Sequence, residues 1–374
     1  MKLTIISHTE HYTAEDGTIV GLGSTVTEIN HLLEIFDDIT HLAMLHPQPA
    51  PASALPYVSH RIHFVALPTV GGKQFVSKLN ILWKAPKTLA IIHHYIKQTD
   101  YFQFRAPTGI GVFVIPYLVF FSQKKGWFKY AGHWKQDAAP LAYRFQRWLL
   151  LRQSRKITIN GIWDDQPPHC LSFENPCLTR SELEQGKVVA EHKHIKVGHV
   201  SFCFVGRLEA AKGMPLFLEA LLSLPEAYQR RIGSVHLVGE GPMRSYYEAR
   251  VHDAPFAITF YGALNRKNVH AIYAANHFLV LPSASEGFPK VVSEAMNYGC
   301  IPIVSDVSSI SQYLASGENA FLLLDLRVDT LVTSLKKALD LPDATYHMMA
   351  QASRRLLESF TYDYYNTRIL NDLL

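Results

Sequence analysis

Two glutamates, Glu286 and Glu294, frame the segment Ser285-Glu286-Gly287-Phe288-Pro289-Lys290-Val291-Val292-Ser293-Glu294. An apolar run ends at Leu281 and a Gly-Phe-Pro turn follows. The pattern then predicts a helix from about Pro289 through Tyr298, and proline suits a first helical turn. The first N–H groups of a helix lack partners within it and carry partial positive charge, which suits phosphate or sugar oxygens. The two acids then stand roughly 7–8 Å apart along the axis. Acids at both ends can grip hydroxyls while the N–H groups face phosphate. The plainer alternative is a surface helix with two solvated glutamates.

A second set lies at the end of an earlier apolar run, in Val205-Gly206-Arg207-Leu208-Glu209-Ala210-Ala211-Lys212-Gly213. Arg207 and Lys212 leave that strand together, and Gly206 and Gly213 make room for close backbone approach. Two cations at a strand's carboxyl end, beside a helix N-terminus, make a diphosphate site by charge. A third element, Gly239-Glu240-Gly241-Pro242, ends the next strand and reads equally well as a tight turn.

In this order and spacing the three elements resemble the nucleotide-binding half of the family 4 glycosyltransferases, retaining enzymes of GT-B fold. The resemblance covers residues 200–325. It implies a nucleotide diphosphate-sugar donor, with Arg207 and Lys212 on the diphosphate and Glu294 on the ribose hydroxyls. It places Glu286 and the N–H groups of Gly287 to Lys290 at the transferred sugar and its phosphate. Gly23, Gly206, Gly239, Phe288, Pro289 and Val291 complete the implied donor-binding set.

The N-terminal half is looser. A Gly-rich loop after the first strand has one candidate, Gly21-Leu22-Gly23-Ser24, which lacks the third glycine of a dinucleotide fingerprint. The resemblance also implies a residue near the reacting sugar at the end of a middle strand, often a histidine; the candidates are Arg105, after the run Tyr101–Phe104, and His94, after Leu89–Ile92, with Arg105 slightly preferred. The resemblance implies retention of configuration, and the residues suggest no nucleophile. No Asp-x-Asp is present, so a metal is not expected and no cofactor is implied.

The elements that must carry these residues follow from periodicity. In the second half, apolar runs at Ser201–Val205, Val235–Val238, Ile258–Tyr261, Phe278–Leu281, Ile301–Val304 and Ala320–Leu323 alternate with amphipathic stretches. The stretches include Met214–Ser223, Lys290–Tyr298, Ile310–Ala315 and Val328–Leu339. Such alternation predicts a doubly wound parallel sheet with ligands at the carboxyl ends of its strands. In the first half, strands are expected at Leu3–Ser7, Ile39–Leu45, Arg61–Ala66, Leu89–His93, Tyr101–Phe104 and Ile157–Asn160, with a helix at Thr25–Phe36. Prolines near 167 and 176 suggest a hinge. The expectation is an α/β protein of GT-B type, two Rossmann-like domains facing across a cleft. Residues 1–172 form the acceptor domain and 173–355 the nucleotide-sugar domain, with 356–374 crossing back to the first.

The chain has 374 residues, 48% hydrophobic and 18% charged, a composition that excludes intrinsic disorder. Its net charge of +4 hides a division. Residues 71–160 hold 15 Lys or Arg against two acids, and 17 of the 43 aromatics. The rest of the chain is net acidic. Lys124-Lys125-Gly126-Trp127-Phe128-Lys129-Tyr130 mixes cations and rings as a lipid headgroup interface does. The expected partners are therefore a nucleotide-sugar donor, a glycan or lipid-linked acceptor, and an anionic membrane surface touched by residues 71–160. A soluble anionic acceptor, or aromatics that are simply core, are the alternatives for this segment; nucleic acid is not expected. Cys170, Cys177, Cys203 and Cys300 fit no metal or redox spacing and read as reduced thiols. The pairs His8/His11, His60/His63 and His93/His94 lack companion ligands for zinc. With no evident leader or spanning segment, the expected place is the cytoplasm, peripheral on the inner membrane face.

The activity the resemblance implies is transfer of a hexosyl-type sugar from a UDP- or GDP-sugar to a glycan or lipid-linked acceptor, in the synthesis of cell-surface polysaccharide or glycoconjugate. A sugar-nucleotide epimerase of the same architecture and an inactive transferase acting as a membrane scaffold are the alternatives.

Overall fold

The structure is a computed structural model that describes residues 1–70, 75–136, 139–196 and 198–374, with the backbone course alone for 75–82. The basic segment's residues 71–74 and Asp137 lie outside the described residues. The chain divides into two compact units, Met1–Glu174 with Tyr365–Leu374, and Asn175–Tyr364. The expected return at 356 thus comes later. Leu357 and Phe360 are buried in the second unit's core, and only from Tyr365 does the chain pack in the first.

In the first unit the strands are β1 (Lys2–Thr13), β2 (Ile19–Leu22), β3 (Asp38–His46), β4 (Ala54–Pro56), β5 (Ile62–Leu67), β6 (Tyr101–Ala106), β7 (Lys125–Tyr130), β8 (Ile157–Ile159) and β9 (Cys170–Ser172). Among the described residues, β5-β3-β1-β6-β7-β8-β9 form a parallel ladder. β1 runs past its expected end at Ser7. After a register shift between Ile6 and Glu10, its distal residues pair antiparallel with β2, which pairs with β4. Both sheet faces are covered: Ile6, Phe104 and Phe128 pack on one side, and Leu3, Ile5 and Trp127 on the other with Tyr365 and Ile369 of the C-terminal helix Tyr362–Asp372.

Two expectations for this unit are overturned. Leu89–His93 belongs to the helix Phe75–Lys97, not to a strand. Ala85, Thr88, Ile92 and Ile96 are buried while His93 and His94 are exposed, a spacing of three and four that a five-residue apolar run does not reveal. The segment Lys124–Tyr130 is not a headgroup interface. It forms the interior strand β7, where Trp127, Phe128 and Tyr130 are at most 2% exposed and even Lys129 is buried. A parallel strand covered on both faces reads as a continuous apolar run, and here its rings are core.

The second unit has β10 (Val200–Val205), β11 (Ile232–Val238), β12 (Ala257–Gly262), β13 (Phe278–Leu281), β14 (Ile301–Ser305) and β15 (Phe321–Leu323). They lie wholly parallel in the order β12-β11-β10-β13-β14-β15. The six expected strands are present, but Ile310–Ala315 holds only the 3-10 turn Ile310–Gln312. The strand order reverses between β10 and β13. The loops leaving those strands' carboxyl ends flank the crevice where such sheets bind ligands. No helix among the described residues is long and apolar enough to cross a membrane.

Candidate active site

Three loops of the second unit lie against one another at this switch point. β10 is buried along its whole length, so its chain emerges at Gly206 in a defined place. The Gly206 N–H donates to the Val238 carbonyl (3.0 Å), and the Leu208 N–H to Glu240 (2.9 Å). Gly239 has φ +136°, and a Cβ there would stand 1.9 Å from the Gly206 carbonyl oxygen. The Gly-Glu-Gly-Pro turn is therefore seated on the Gly-Arg-Leu loop, which only glycine permits. Gly213 does the same on the other side: φ is +79° and a Cβ would meet the Pro282 carbonyl at 2.1 Å. The Ala284 N–H reaches the Ala211 carbonyl at 3.0 Å, closing the loop after β13 onto the loop after β10.

This contact brings Lys212 and Glu286 together, with Nζ donating to Oε1 at 2.5 Å and side-chain exposures of 25% and 10%. Arg207 is 71% exposed and its guanidinium lies 3.4 Å from Glu209. The loop after β14 supports the far side. Ser305 Oγ donates to the Ser283 carbonyl (2.5 Å) and Ser309 Oγ to that of Gly287 (3.5 Å).

The helix after the Gly-Phe-Pro turn is Lys290–Asn297, with Pro289 as its N-cap rather than within its first turn. Residues Val292 to Asn297 are all buried. The alternative of a surface helix with solvated glutamates is thereby excluded. Phe288 does not face a ligand space; its ring is 3% exposed and packs 4.9 Å from Tyr313 and 5.0 Å from Phe360. Lys290 and Val291 are half-buried.

Glu294 sits in a network that the spacing argument missed. Arg266 Nη1 donates to its Oε1 at 3.0 Å and the Tyr273 hydroxyl to its Oε2 at 3.3 Å. Arg266, at the start of the helix Arg266–Ala275, also grips Glu182 at 2.7 and 2.8 Å. Burial pushes the Tyr273 hydroxyl well above its ordinary range, with Glu294 adding to the effect, so it stays a donor. For Glu182, burial opposes ionisation, but the hydrogen bonds and charge of Arg266 outweigh it and hold the carboxyl below its usual range.

In the first unit, Arg105 is tied down. Nε donates to Gln103 (2.9 Å) and Nη2 to Glu28 (2.9 Å), while Lys129 Nζ lies 2.5 Å from the same Glu28 oxygen. Lys129 also stands 4.7 Å over the Tyr365 ring. Gly23 opens the helix Gly23–His31, where a Cβ would meet the Ser53 carbonyl at 2.5 Å. That observation gives the glycine a packing reason. A further network joins Ser7 Oγ to His41 Nε2 (2.8 Å), and the Tyr57 hydroxyl to both His41 Nδ1 (2.6 Å) and His11 Nε2 (2.8 Å). Burial holds the His11 imidazole down at about 4 and that of His41 well below its ordinary value. The sequence flagged only His11, paired with His8; its partners His41 and Tyr57 meet it across the sheet, and nothing local marks them.

Residues 190–356, most of the second unit, match the sequence model of the family described as Glycosyl transferases group 1. The chain is 23% identical over 222 residues to a glycogen synthase of Mycobacterium tuberculosis, covering 58% of this chain and 53% of that one. It thus spans about half the length of that relative. Across the whole chain the fold is similar to sucrose-phosphate synthase from Thermosynechococcus elongatus, with a TM-score of 0.73, 14% identity and coverage of 99% and 97% of the two chains. It is likewise similar to Anabaena HepE solved with UDP and glucose, at a TM-score of 0.68, 14% identity and coverage of 100% and 99%. These likenesses define the GT-B fold.

Proposed function

We propose that this protein is a retaining glycosyltransferase that moves a hexosyl group from a UDP- or GDP-sugar to a glycan or lipid-linked acceptor of cell-surface polysaccharide synthesis. The observation that carries this reading is the Lys212–Glu286 pair, held at the switch point of a domain matching the group 1 glycosyl transferases. In the reaction, the bond between the anomeric carbon and the β-phosphate oxygen breaks and its electron pair leaves on phosphate. The acceptor hydroxyl attacks the same face, and its proton passes to the departing phosphate oxygen.

Negative charge grows on that phosphate as the sugar becomes oxocarbenium-like. Lys212, Arg207 and the N-terminus of the helix Lys290–Asn297 meet it, and each preorganised donor supplies about 3 kcal/mol. Glu286 orients Lys212 in the free protein. When the donor is bound, Lys212 turns to the phosphate and Glu286 to the sugar hydroxyls. Glu294, at 11% side-chain exposure, takes the ribose with its remaining lone pairs. The HepE structure, solved with UDP and glucose, supports a UDP-sugar as the first donor to try.

Membrane contact, in this reading, moves from the buried strand β7 to the helix Leu141–Leu150. Leu141, Arg144, Phe145 and Trp148 share one exposed face of that helix, and the Arg152 guanidinium stands 4.6 Å over the Trp148 ring. Cations and rings on one amphipathic face suit an anionic headgroup surface.

A thermal-shift screen of UDP, GDP, ADP and their glucose derivatives tests the nucleotide reading. A ligand at 100 times its Kd stabilises the folded state by about 2.7 kcal/mol. Stabilisation by one base, followed by release of that nucleoside diphosphate from its sugar derivative, is expected. If none of the nucleotides shifts the melting temperature, the reading falls. Conversion of UDP-GlcNAc to an epimer without acceptor would favour the epimerase instead.

A further inference from the structure

At the amino-terminal edge of the second sheet, opposite the loops that carry Lys212 and Glu286, three side chains from two distant segments converge. His194 Nδ1 lies 2.9 Å from Asp343 Oδ2 and 3.1 Å from His347 Nε2, and His347 Nε2 lies 3.8 Å from Asp343 Oδ2. Tetrahedral zinc with bonds of about 2.0–2.1 Å holds its donor atoms about 3.3 Å apart. The three separations bracket that value. Hydrogen bonding alone serves the trio poorly, because one proton on His194 Nδ1 must be shared between the carboxylate and the other imidazole. A cation at the centre uses all three lone pairs.

The backbone around each ligand is anchored. Asp343 and His347 stand one turn apart on the same face of the helix Asp343–Arg354. The Ile195 N–H donates to Asp343 Oδ1 at 2.9 Å, which leaves Oδ2 for the trio. Beside His194, the buried Lys193 ammonium donates to the carbonyls of Tyr273, Asn276 and Tyr298 at 2.8, 2.7 and 2.5 Å. Beside His347, the buried Tyr346 hydroxyl donates to the Gly299 carbonyl at 2.7 Å. Ligands held on fixed backbone lose little freedom on binding, and hydrogen bonds to a ligand's second atom orient it for metal. The side chains remain 55%, 43% and 31% exposed, so an ion has access.

We propose that His194, Asp343 and His347 form a zinc-class divalent-metal site with its fourth position open to water. Bound there, the ion clips the segment that enters β10 to the helix Asp343–Arg354, which lies about 150 residues later in the chain. The site is independent of the nucleotide chemistry and stands or falls separately from it.

The test uses the full chain, free of any histidine tag and treated with EDTA, titrated with zinc chloride. One zinc per chain and a raised melting temperature are expected, and cobalt chloride should give the visible absorption of a tetrahedral site. Both signals should vanish in the double variant His194→Gln/His347→Gln, while Asp343→Asn weakens them. Far-UV circular dichroism of the metal-free variants, and an unchanged response to UDP, check that they are folded. Absence of stoichiometric zinc binding to the wild-type chain, or equal binding by the folded double variant, would overturn the proposal.

Discussion

Lys212 and Glu286, 74 residues apart in the chain, meet at 2.5 Å where the strand order of the second sheet reverses. The pair forms because Gly213 lets the loop after β10 lie directly on the Pro282 carbonyl. In the proposed reaction it stores a cation beside the leaving diphosphate.

Removing that cation should lower turnover more than binding. Lys212→Ala is expected to reduce kcat about 10²- to 10³-fold, the loss seen when one preorganised donor is deleted. Glu286→Gln should also lower kcat while UDP affinity stays within a few-fold, since Lys212 is left free for phosphate. UDP release from UDP-glucose and UDP titration by calorimetry measure the two effects. Wild-type turnover in both variants would remove them from the reaction.

Arg266 should matter chiefly for stability. It ties Glu182 and Glu294 to one guanidinium, and Arg266→Ala leaves both carboxylates in a largely buried place. Breaking such a pair from one side costs about 3–5 kcal/mol, and partial exposure puts this case near the lower figure. Glu294→Gln keeps an acceptor for Arg266 but turns the oxygen facing the Tyr273 hydroxyl into an amide donor, and should cost about 1 kcal/mol. Urea unfolding of the two variants should therefore give clearly separated midpoints.

The His11–Tyr57–His41 network should make the first unit acid-sensitive. His11 titrates near 4 when folded but near 6.5 when unfolded, because burial disfavours its charged form; His41 is displaced in the same direction. Below pH 6.5 the unfolded chain binds more protons than the native one. Stability is then full above pH 6.5 and is lost as pH falls from there toward 4. His11 contributes a slope of up to about 1.4 kcal/mol per pH unit in that window, and His41 adds in the same direction. Urea midpoints at pH 7.5, 6 and 5 should fall in that order. A His11→Gln/His41→Gln variant should show a flatter dependence, whatever its absolute stability.

Two tryptophans of the basic segment should separate membrane contact from core packing. Trp127 is 1% exposed in β7, and Trp127→Ala should cost about 3–5 kcal/mol of stability. Trp148 is 49% exposed on the helix Leu141–Leu150. Trp148→Glu should leave the melting temperature nearly unchanged while weakening flotation with anionic vesicles about tenfold or more. Flotation that ignores both the substitution and the lipid charge would remove the membrane from this protein's partners.

How far the sequence alone reached differs between the two units. In the second, most strands are short buried runs and the edge strand β12 alternates, so periodicity marked all six; Gly206, Lys212 and Glu286 fell in the loops between elements and Glu294 within a helix. The reason is local: parallel strands covered on both faces, and turns that need glycine, write themselves into adjacent residues. In the first unit the same physics misled. Lys125–Tyr130 carries lysines because one end is exposed and Lys129 is paired with Glu28, a residue 101 positions away. The helix Phe75–Lys97 showed only the fragment Leu89–Ile92, too short to distinguish it from a strand.

The sequence by itself determined the α/β class, the strand order's raw material and the residue types at the candidate site. Only tertiary structure decided which of those residues meet. Pairings such as Arg266 with Glu294, Arg105 with Glu28, and His194 with Asp343 and His347 join segments 28 to 153 residues apart. Their distances depend on how helices settle on the sheets, and no spacing along the chain encodes that.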